Sequence, residues 1–226
     1  MQNNSWSWRK LLQLKAQASK FLEMRNVFTI WKYYGSKYCV AKVWKELRPS
    51  QNKVTWHRLL WSNLVIPKHT VIAWMAVLNR LPTMDRLVAW SLADSGNCRL
   101  CQDGMETKDH LFFGCCYSRA IWRAILNLCG LRREVHNWKA KLKWAIQKLK
   151  CRSLVTLILR IAWQVFIYFI WREMNQKLYT QKSENGLHVL EQIKSTVRIK
   201  TSRLCHVADD PVNRSLCQSW GLSILV

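Results

Sequence analysis

CRLCQDGMETKDHLFFGC, residues 98–115, carries three cysteines and one histidine at the spacing C-x2-C-x8-H-x4-C. Thiolate and imidazole donors at such spacing suit a tetrahedral zinc ion. The two-residue gap between Cys98 and Cys101 lets both sulfurs of one tight turn face the same ion, and Gly104 permits the bend of the longer loop that follows. Cys98, Cys101, His110 and Cys115 would make a closed Cys3His set with no position left for water, so one zinc would hold shape and perform no chemistry. Structural zinc sites contribute roughly 10–16 kcal/mol of apparent binding energy, enough to dominate so small a turn. The adjacent Cys116 offers a competing thiol, and the metal-free alternative is a set of buried thiols beside a buried imidazole.

The residues around this turn read as helices. Glycine and proline are scarce, 7 and 4 in 226 residues, which argues against a turn-rich β fold. Upstream, an N-terminal helix runs through about Met24, Tyr38 and Val40 alternate like a short strand or a helix entry, and Pro49 ends the helix AKVWKELR. VTWHRLLWSN follows a polar linker. Pro67 then introduces HTVIAWMAVLNR, where Val71, Trp74, Met75 and Leu78 form an i, i+3, i+4, i+7 stripe. Pro82 breaks that helix, and Thr83 is the N-cap residue of TMDRLVAWSL.

Downstream, SRAIWRAILNLCG is a helix ended by Gly130. VHNWKAKLKWAIQKLKC places Trp138, Leu142, Ala145 and Leu149 on one face, with Lys141, Lys148 and Arg152 on the other. LVTLILRIAWQVFIYFIW, residues 154–171, has the length of a minimal membrane span. Arg160 and Gln164 interrupt it one turn apart, and a central arginine alone costs about 2.5–3.5 kcal/mol on insertion. The segment therefore reads as a buried central helix. A last helix covers about Leu187 to Leu204, before a loop and an apolar tail, LCQSWGLSILV. The fold expected is mainly α, a helical domain with an inserted Cys3His zinc-stapled turn.

Charge points to partners. Thirty-six Lys and Arg against 13 Asp and Glu give +23, which favours polyanions, nucleic acid before acidic membrane surfaces. From Arg119 to Arg152 there are ten basic residues and one acid, Glu134. Candidate phosphate contacts are Arg99 and Lys108 on the zinc loop, then Arg119, Arg123, Arg132, Arg133, Lys139, Lys141, Lys143 and Lys148. Phe112, Phe113 and Tyr117 would either stack on bases or pack the turn onto the core. A solvated basic surface without a partner is the plain alternative. The nine cysteines are odd in number and no secretory signal precedes them, so a reducing intracellular setting, nucleus or cytoplasm, is expected; a mitochondrial presequence is the alternative for the basic N-terminal stretch.

No catalytic centre can be assembled. The adjacent acids Asp209 and Asp210 follow Val207 and Ala208 where a polymerase hairpin needs an aromatic residue two before the pair, and Pro211 would disrupt the second strand. They read as a loop.

The order WHRLLWSNLVIPKHTVIAW, NRLPTMDRLVAW, CRLCQDGMETKDHLFFGCCYSRAIW resembles the zinc-binding domain at the C-terminal end of plant non-LTR (LINE-type) reverse transcriptases. The resemblance is strong over about 38–126 and implies Cys98, Cys101, His110 and Cys115 as ligands, with Cys116 replacing the family's proline after the last cysteine. It implies three parts: 1–37, remnant upstream sequence; 38–126, the zinc-binding domain; and 127–226, a basic helical region. It also implies a non-enzymatic module that grips RNA or DNA, with a reverse transcriptase core or another protein as a further partner and no membrane. The alternative is a protein-interaction or structural module, or a relic without a present role.

Overall fold

Proline or a short polar side chain sets the starts of four helices in the computed structural model. It describes residue 13 and residues 52–62, 64–133, 137–149, 151, 153–182, 184–202, 204 and 207–223. The expected helices before Pro49 and the alternation at Tyr38 and Val40 lie outside the described residues. The chain divides into two compact units, Met1–Lys53 and Val54–Val226. The second contains α1 (His57–Leu60), α2 (Pro67–Val77), α3 (Met84–Ala89), a π-helical turn (His110–Gly114), α4 (Cys116–Leu128), α5 (Trp138–Lys148), α6 (Leu154–Thr180), α7 (Gly186–Thr201) and α8 (Pro211–Trp220). Among the described residues there is no sheet, only an isolated antiparallel bridge between Asn97 and Met105. The fold is mainly α, with the Cys3His turn inserted between α3 and α4.

Pro67 and Pro211 occupy first turns, where the missing N–H is not needed. Asn137, Asn185 and Asp210 each accept a hydrogen bond from a first-turn N–H of α5, α7 and α8. The acidic pair at 209–210 is thus a helix-start device: Asp210 caps α8, and Asp209 pairs with Arg214 at 2.7 Å. The sequence reading gave a loop and an apolar tail here, without α8. Asp-Pro before an amphipathic decapeptide was the available signal.

Helix α6 is the axis of the core. α2 and α7 both pack against it, and α4 packs against α7. Its Ile158, Ala162, Phe166, Ile167, Ile170 and Met174 are fully buried. The helix is long and apolar enough to cross a membrane, yet 72% of its most apolar window is buried inside the protein. Its polar interruptions have partners there. Arg160 donates to the Leu149 carbonyl at 2.8 Å. Gln164 accepts from the Thr70 hydroxyl at 2.8 Å and donates to the Leu59 carbonyl at 2.8 Å, joining α1, α2 and α6. Such internal partners offset the cost of burying polar groups.

α2 presents a different face from the one expected. His69, Thr70, Ala73 and Ala76 are buried, while Val71 is 49% exposed and Trp74 and Met75 are half-buried. The segment is apolar nearly all round, so periodicity does not select a face. Alanines let α2 approach α6 closely, and that contact decides. Thr83 does precede α3, but its hydroxyl donates to the Asp85 carboxylate instead of accepting from the helix.

His69 stacks on Tyr168 at 4.1 Å, and its Nδ1 is buried without a hydrogen-bond partner among the described residues. Burial, with Lys68, Lys200 and Arg172 nearby, lowers its pKa from 6.5 to about 4. The unfolded chain therefore takes up a proton that the native imidazole refuses. Stability from this group is complete above about pH 6.5 and falls by roughly 3 kcal/mol as pH drops to about 4. We predict that His69→Phe removes this acid-side slope from urea-unfolding stability measured between pH 7 and pH 4. An unchanged slope relative to the wild type would refute it.

Candidate metal centre

Chain reversal between Gly96 and Glu106 brings the first two sulfurs together. The Cys98 N–H donates to the Gly104 carbonyl at 2.9 Å, the Gln102 N–H to the Cys98 carbonyl at 2.8 Å, and the Glu106 N–H to the Gly96 carbonyl at 2.8 Å. Gln102 and Gly104 both have left-handed backbone, φ 62° and 69°. The expected bend at Gly104 is there, and its lack of a Cβ makes that conformation easy. At Gly96 a Cβ would lie 2.2 Å from the Met105 sulfur, the end of an exposed flexible side chain that can shift to make room.

The second pair of donors arrives on the π-helical turn. His110 and Cys115 are five residues apart, and in an α-helix they would point about 140° away from each other. Here the Cys115 N–H donates to the His110 carbonyl at 2.6 Å, an i→i+5 closure that brings the two residues to one side. Leu111, Phe112 and Phe113, between them, are buried. Phe113 packs on Trp122, Trp138 and Phe166, and Phe112 on Trp138. Core packing, not base stacking, is what the phenylalanines do, and the Tyr117 hydroxyl donates to the Glu184 carbonyl at 3.0 Å.

The donor atoms of Cys98, Cys101, His110 and Cys115 all lie within 4.8 Å of one another. Zinc with thiolate and imidazole ligands requires ligand separations of about 3.5–3.8 Å, so the cluster needs little contraction to enclose an ion. Cys101 Sγ is 3.2 Å from His110 Nε2, which identifies Nε2 as the nitrogen facing the cluster. Cys98 and Cys115 are fully buried. A hydrogen bond from the Cys98 thiol is the main cause that lowers Cys115 to about 5, helped by the Ser118 and Tyr117 N–H groups and opposed by burial. The same hydrogen bond, with burial, pushes Cys98 upward. The set is capable of coordinating a metal, and a cation would take the place of the proton shared by the two sulfurs. Cys116 is exposed and outside the cluster, so Cys115 is the member of the set.

Glu106 is the residue that sequence reasoning missed. It is fully buried, and Oε2 accepts from the Arg99 N–H at 2.9 Å, inside the two-cysteine turn. Oε1 accepts from the Met84 N–H at 3.3 Å, at the start of α3. Burial raises its pKa, and those two N–H groups oppose the rise. One carboxylate thus fastens the knuckle to a helix end whose own Thr83 does not cap it. An acid four residues before the histidine was the only signal in the sequence.

The expected basic contacts divide into groups. Arg119, Arg123, Arg132, Arg133, Lys139, Lys143 and Lys148 are exposed. Arg99 and Lys108 are half-buried, and the Lys108 ammonium lies 4.8 Å over the Trp138 ring. Lys141 does not lie on the solvent face expected for it. It is buried, with its ammonium 5.4 Å over Phe113 and 5.6 Å over Trp122. A lysine stem can line an apolar face while its head rests on aromatic rings.

The family described as zinc-binding in reverse transcriptase matches residues 38–122, which include all four clustered donors. No curated protein and no solved structure matches the chain. The segment is therefore related to the zinc-binding domains of reverse transcriptases, and it carries a Cys3His cluster able to hold a metal.

Two predictions test the assignment of roles. Cys115→Ser should abolish stoichiometric zinc in metal analysis of the purified chain, whereas Cys116→Ser should retain one zinc per chain. The reverse pattern would reassign the ligand. Glu106→Ala should weaken zinc about 10–100-fold in a chelator competition, with Glu106→Gln less damaging because it keeps one acceptor. Equal affinity in all three proteins would remove Glu106 from its supporting role.

Proposed function

We propose that the chain is a zinc-stabilised, non-catalytic nucleic-acid-binding module derived from a plant LINE-type reverse transcriptase. The observation that carries the reading is the joining of a four-donor cluster to α4 and α5, which carry exposed Arg119, Arg123, Lys139, Lys143 and Lys148. One structural zinc would fix the start of α4. The cations would contact RNA or DNA phosphates without strong sequence preference. In this reading the division at 38–126 records ancestry, since residues of that segment and of 127–226 share one hydrophobic core. The setting would be intracellular, in nucleus or cytoplasm.

A second reading, a protein-interaction or structural module that docks a reverse transcriptase core, draws on exposed apolar side chains. Trp61 is 43%, Val71 49% and Trp90 50% exposed. Salt dependence separates the two. If six phosphates are neutralised, log Kobs should fall against log salt with a slope of about −5. Lys139→Gln with Lys143→Gln should reduce that slope by about 2. Binding to RNA and DNA that is absent, or indifferent to salt, would leave the protein-docking reading.

A further inference from the structure

The short helix α1 ends on an aromatic ring that the core does not bury. Its Leu59 and Leu60 are buried, and Gln164 of α6 donates to both of their carbonyls, at 2.8 and 3.2 Å. Trp61 follows at once. Its N–H donates to the His57 carbonyl at 2.9 Å, and extended backbone with ψ of 111° then leads the chain away. The backbone at Trp61 is therefore pinned, while its side chain is exposed. Three further rings surround it. Trp61 lies 6.0 Å from His57 in near-parallel planes, 5.8 Å from Trp56, and 6.4 Å from Trp74 edge to face. Trp56 and Trp74 also pack on the core, so the exposed indole is held in place by two anchored ones.

An indole fixed at the surface keeps apolar area in water that a partner could cover. The charge beside it indicates which partner. No Asp or Glu occurs between Glu46 and Asp85 in the sequence, and no ion pair among the described residues involves α1 or α2. Arg58, on α1 itself, is exposed. Burial and then repulsion from Arg58 lower the pKa of Arg160, which places the two guanidiniums near each other. Arg160 donates to the Leu149 carbonyl at the end of α5, and α1 contacts α5 directly. The ring thus sits beside a cation and next to the helix that carries exposed Lys143 and Lys148. A nucleic-acid strand suits both features, because it brings a flat π face for the indole and phosphates for the cations.

Only some nucleic acids offer that face. In a duplex each base is stacked on its neighbours and must be extruded before a side chain can cover it. An unpaired base is open at once. We propose that Trp61 is a stacking platform for an unpaired base, which makes this module a binder of single strands. The inference rests on the nucleic-acid reading above, and its test separates the two.

With the full zinc-loaded chain, binding of labelled oligo(dA) is compared with binding of an abasic strand of equal length and charge, and of a duplex of equal length. RNA strands are run alongside. The base-bearing strand should bind at least about tenfold more tightly than the abasic one. Trp61→Ala should erase that preference, and Trp61→Phe should keep most of it. Duplex affinity and the slope of binding against salt should stay unchanged in both variants, since neither removes a charge. Trp90→Ala, which deletes another exposed indole at the end of α3, should keep the preference.

Equal binding of oligo(dA) and the abasic strand by the unsubstituted chain overturns the platform; if that binding depends on salt, the nucleic-acid module still stands. A preference that survives Trp61→Ala, or that is lost equally in Trp90→Ala, overturns the assignment to Trp61. Binding of neither strand nor duplex overturns both readings and leaves protein docking. Where Trp61→Ala loses zinc or far-ultraviolet dichroism, photocrosslinking of a bromouridine strand to the unsubstituted chain decides. Adducts mapped by mass spectrometry to Trp61, Trp56 or Trp74 support the platform, and adducts confined to other residues overturn it.

Discussion

Three sulfurs and one imidazole nitrogen, all within 4.8 Å of each other, are the constraint on which the middle of this protein depends. The stretch from Gly96 to Cys115 contains a single isolated bridge and one π-helical turn, so repetitive hydrogen bonding does little to define it. What fixes it is convergence. The cysteine turn enters from one side, tied down by Glu106, and the π-helical turn enters from the other with Leu111, Phe112 and Phe113 sunk into the core. A metal at the meeting point would connect the cysteine turn, whose Cys98 and Leu100 reach the core, to one that is packed on Trp122, Trp138 and Phe166. Local spacing alone would not do this, because two donors on an α-helix five residues apart face different directions.

The few acids sharpen the meaning of the net charge. Glu106 and Glu173 are fully buried. Glu106 holds the cysteine turn, and Glu173 accepts from the Glu184 N–H at 3.1 Å. Asp210 caps a helix, while Asp209 and Glu191 are paired with Arg214, Lys194 and Arg198. The partners described for these acids lie outside α4 and α5, and the stretch 119–152 carries ten basic residues against one acid, Glu134, so its sequence balance is strongly positive. Such a field favours polyanions and weakens steeply with salt.

How far the sequence could be read depended on the kind of information involved. Metal spacing is local, and Cys98, Cys101, His110 and Cys115 do converge. Proline and glycine punctuation is local too, and the helices after Pro67, before Gly130 and around 154–171 are found where they were expected. The face of α2 was not legible, because a helix apolar nearly all round has several possible buried sides and only its neighbour α6 selects one. Lys141 was misplaced for a related reason. It shares a face with Trp138 and Ala145, at i+3 and i+7, and a charge on that face reads as an error until the rings of Phe113 and Trp122 supply a seat. Glu106 left only its place four residues before His110 as a signal, because its partners are backbone N–H groups, which every sequence has.

The link between the metal cluster and the basic helices is geometric. Cys115 is both a cluster member and the N-cap residue of α4, with ψ of 133°. Its carbonyl accepts the first helical hydrogen bond from Arg119, while the Ser118 and Tyr117 N–H groups turn toward its sulfur. The positive end of the α4 dipole therefore points at the most acidic thiol of the set, which favours its thiolate form. Moving that sulfur would tilt the helix, and the helix carries Arg119 and Arg123 on its exposed side and Ile121, Trp122 and Ile125 on its buried one. A rigid cluster at the first turn and a packed apolar face along the axis leave α4 one orientation. The direction in which its arginines face is set by Cys115 and by the buried face of Ile121, Trp122 and Ile125.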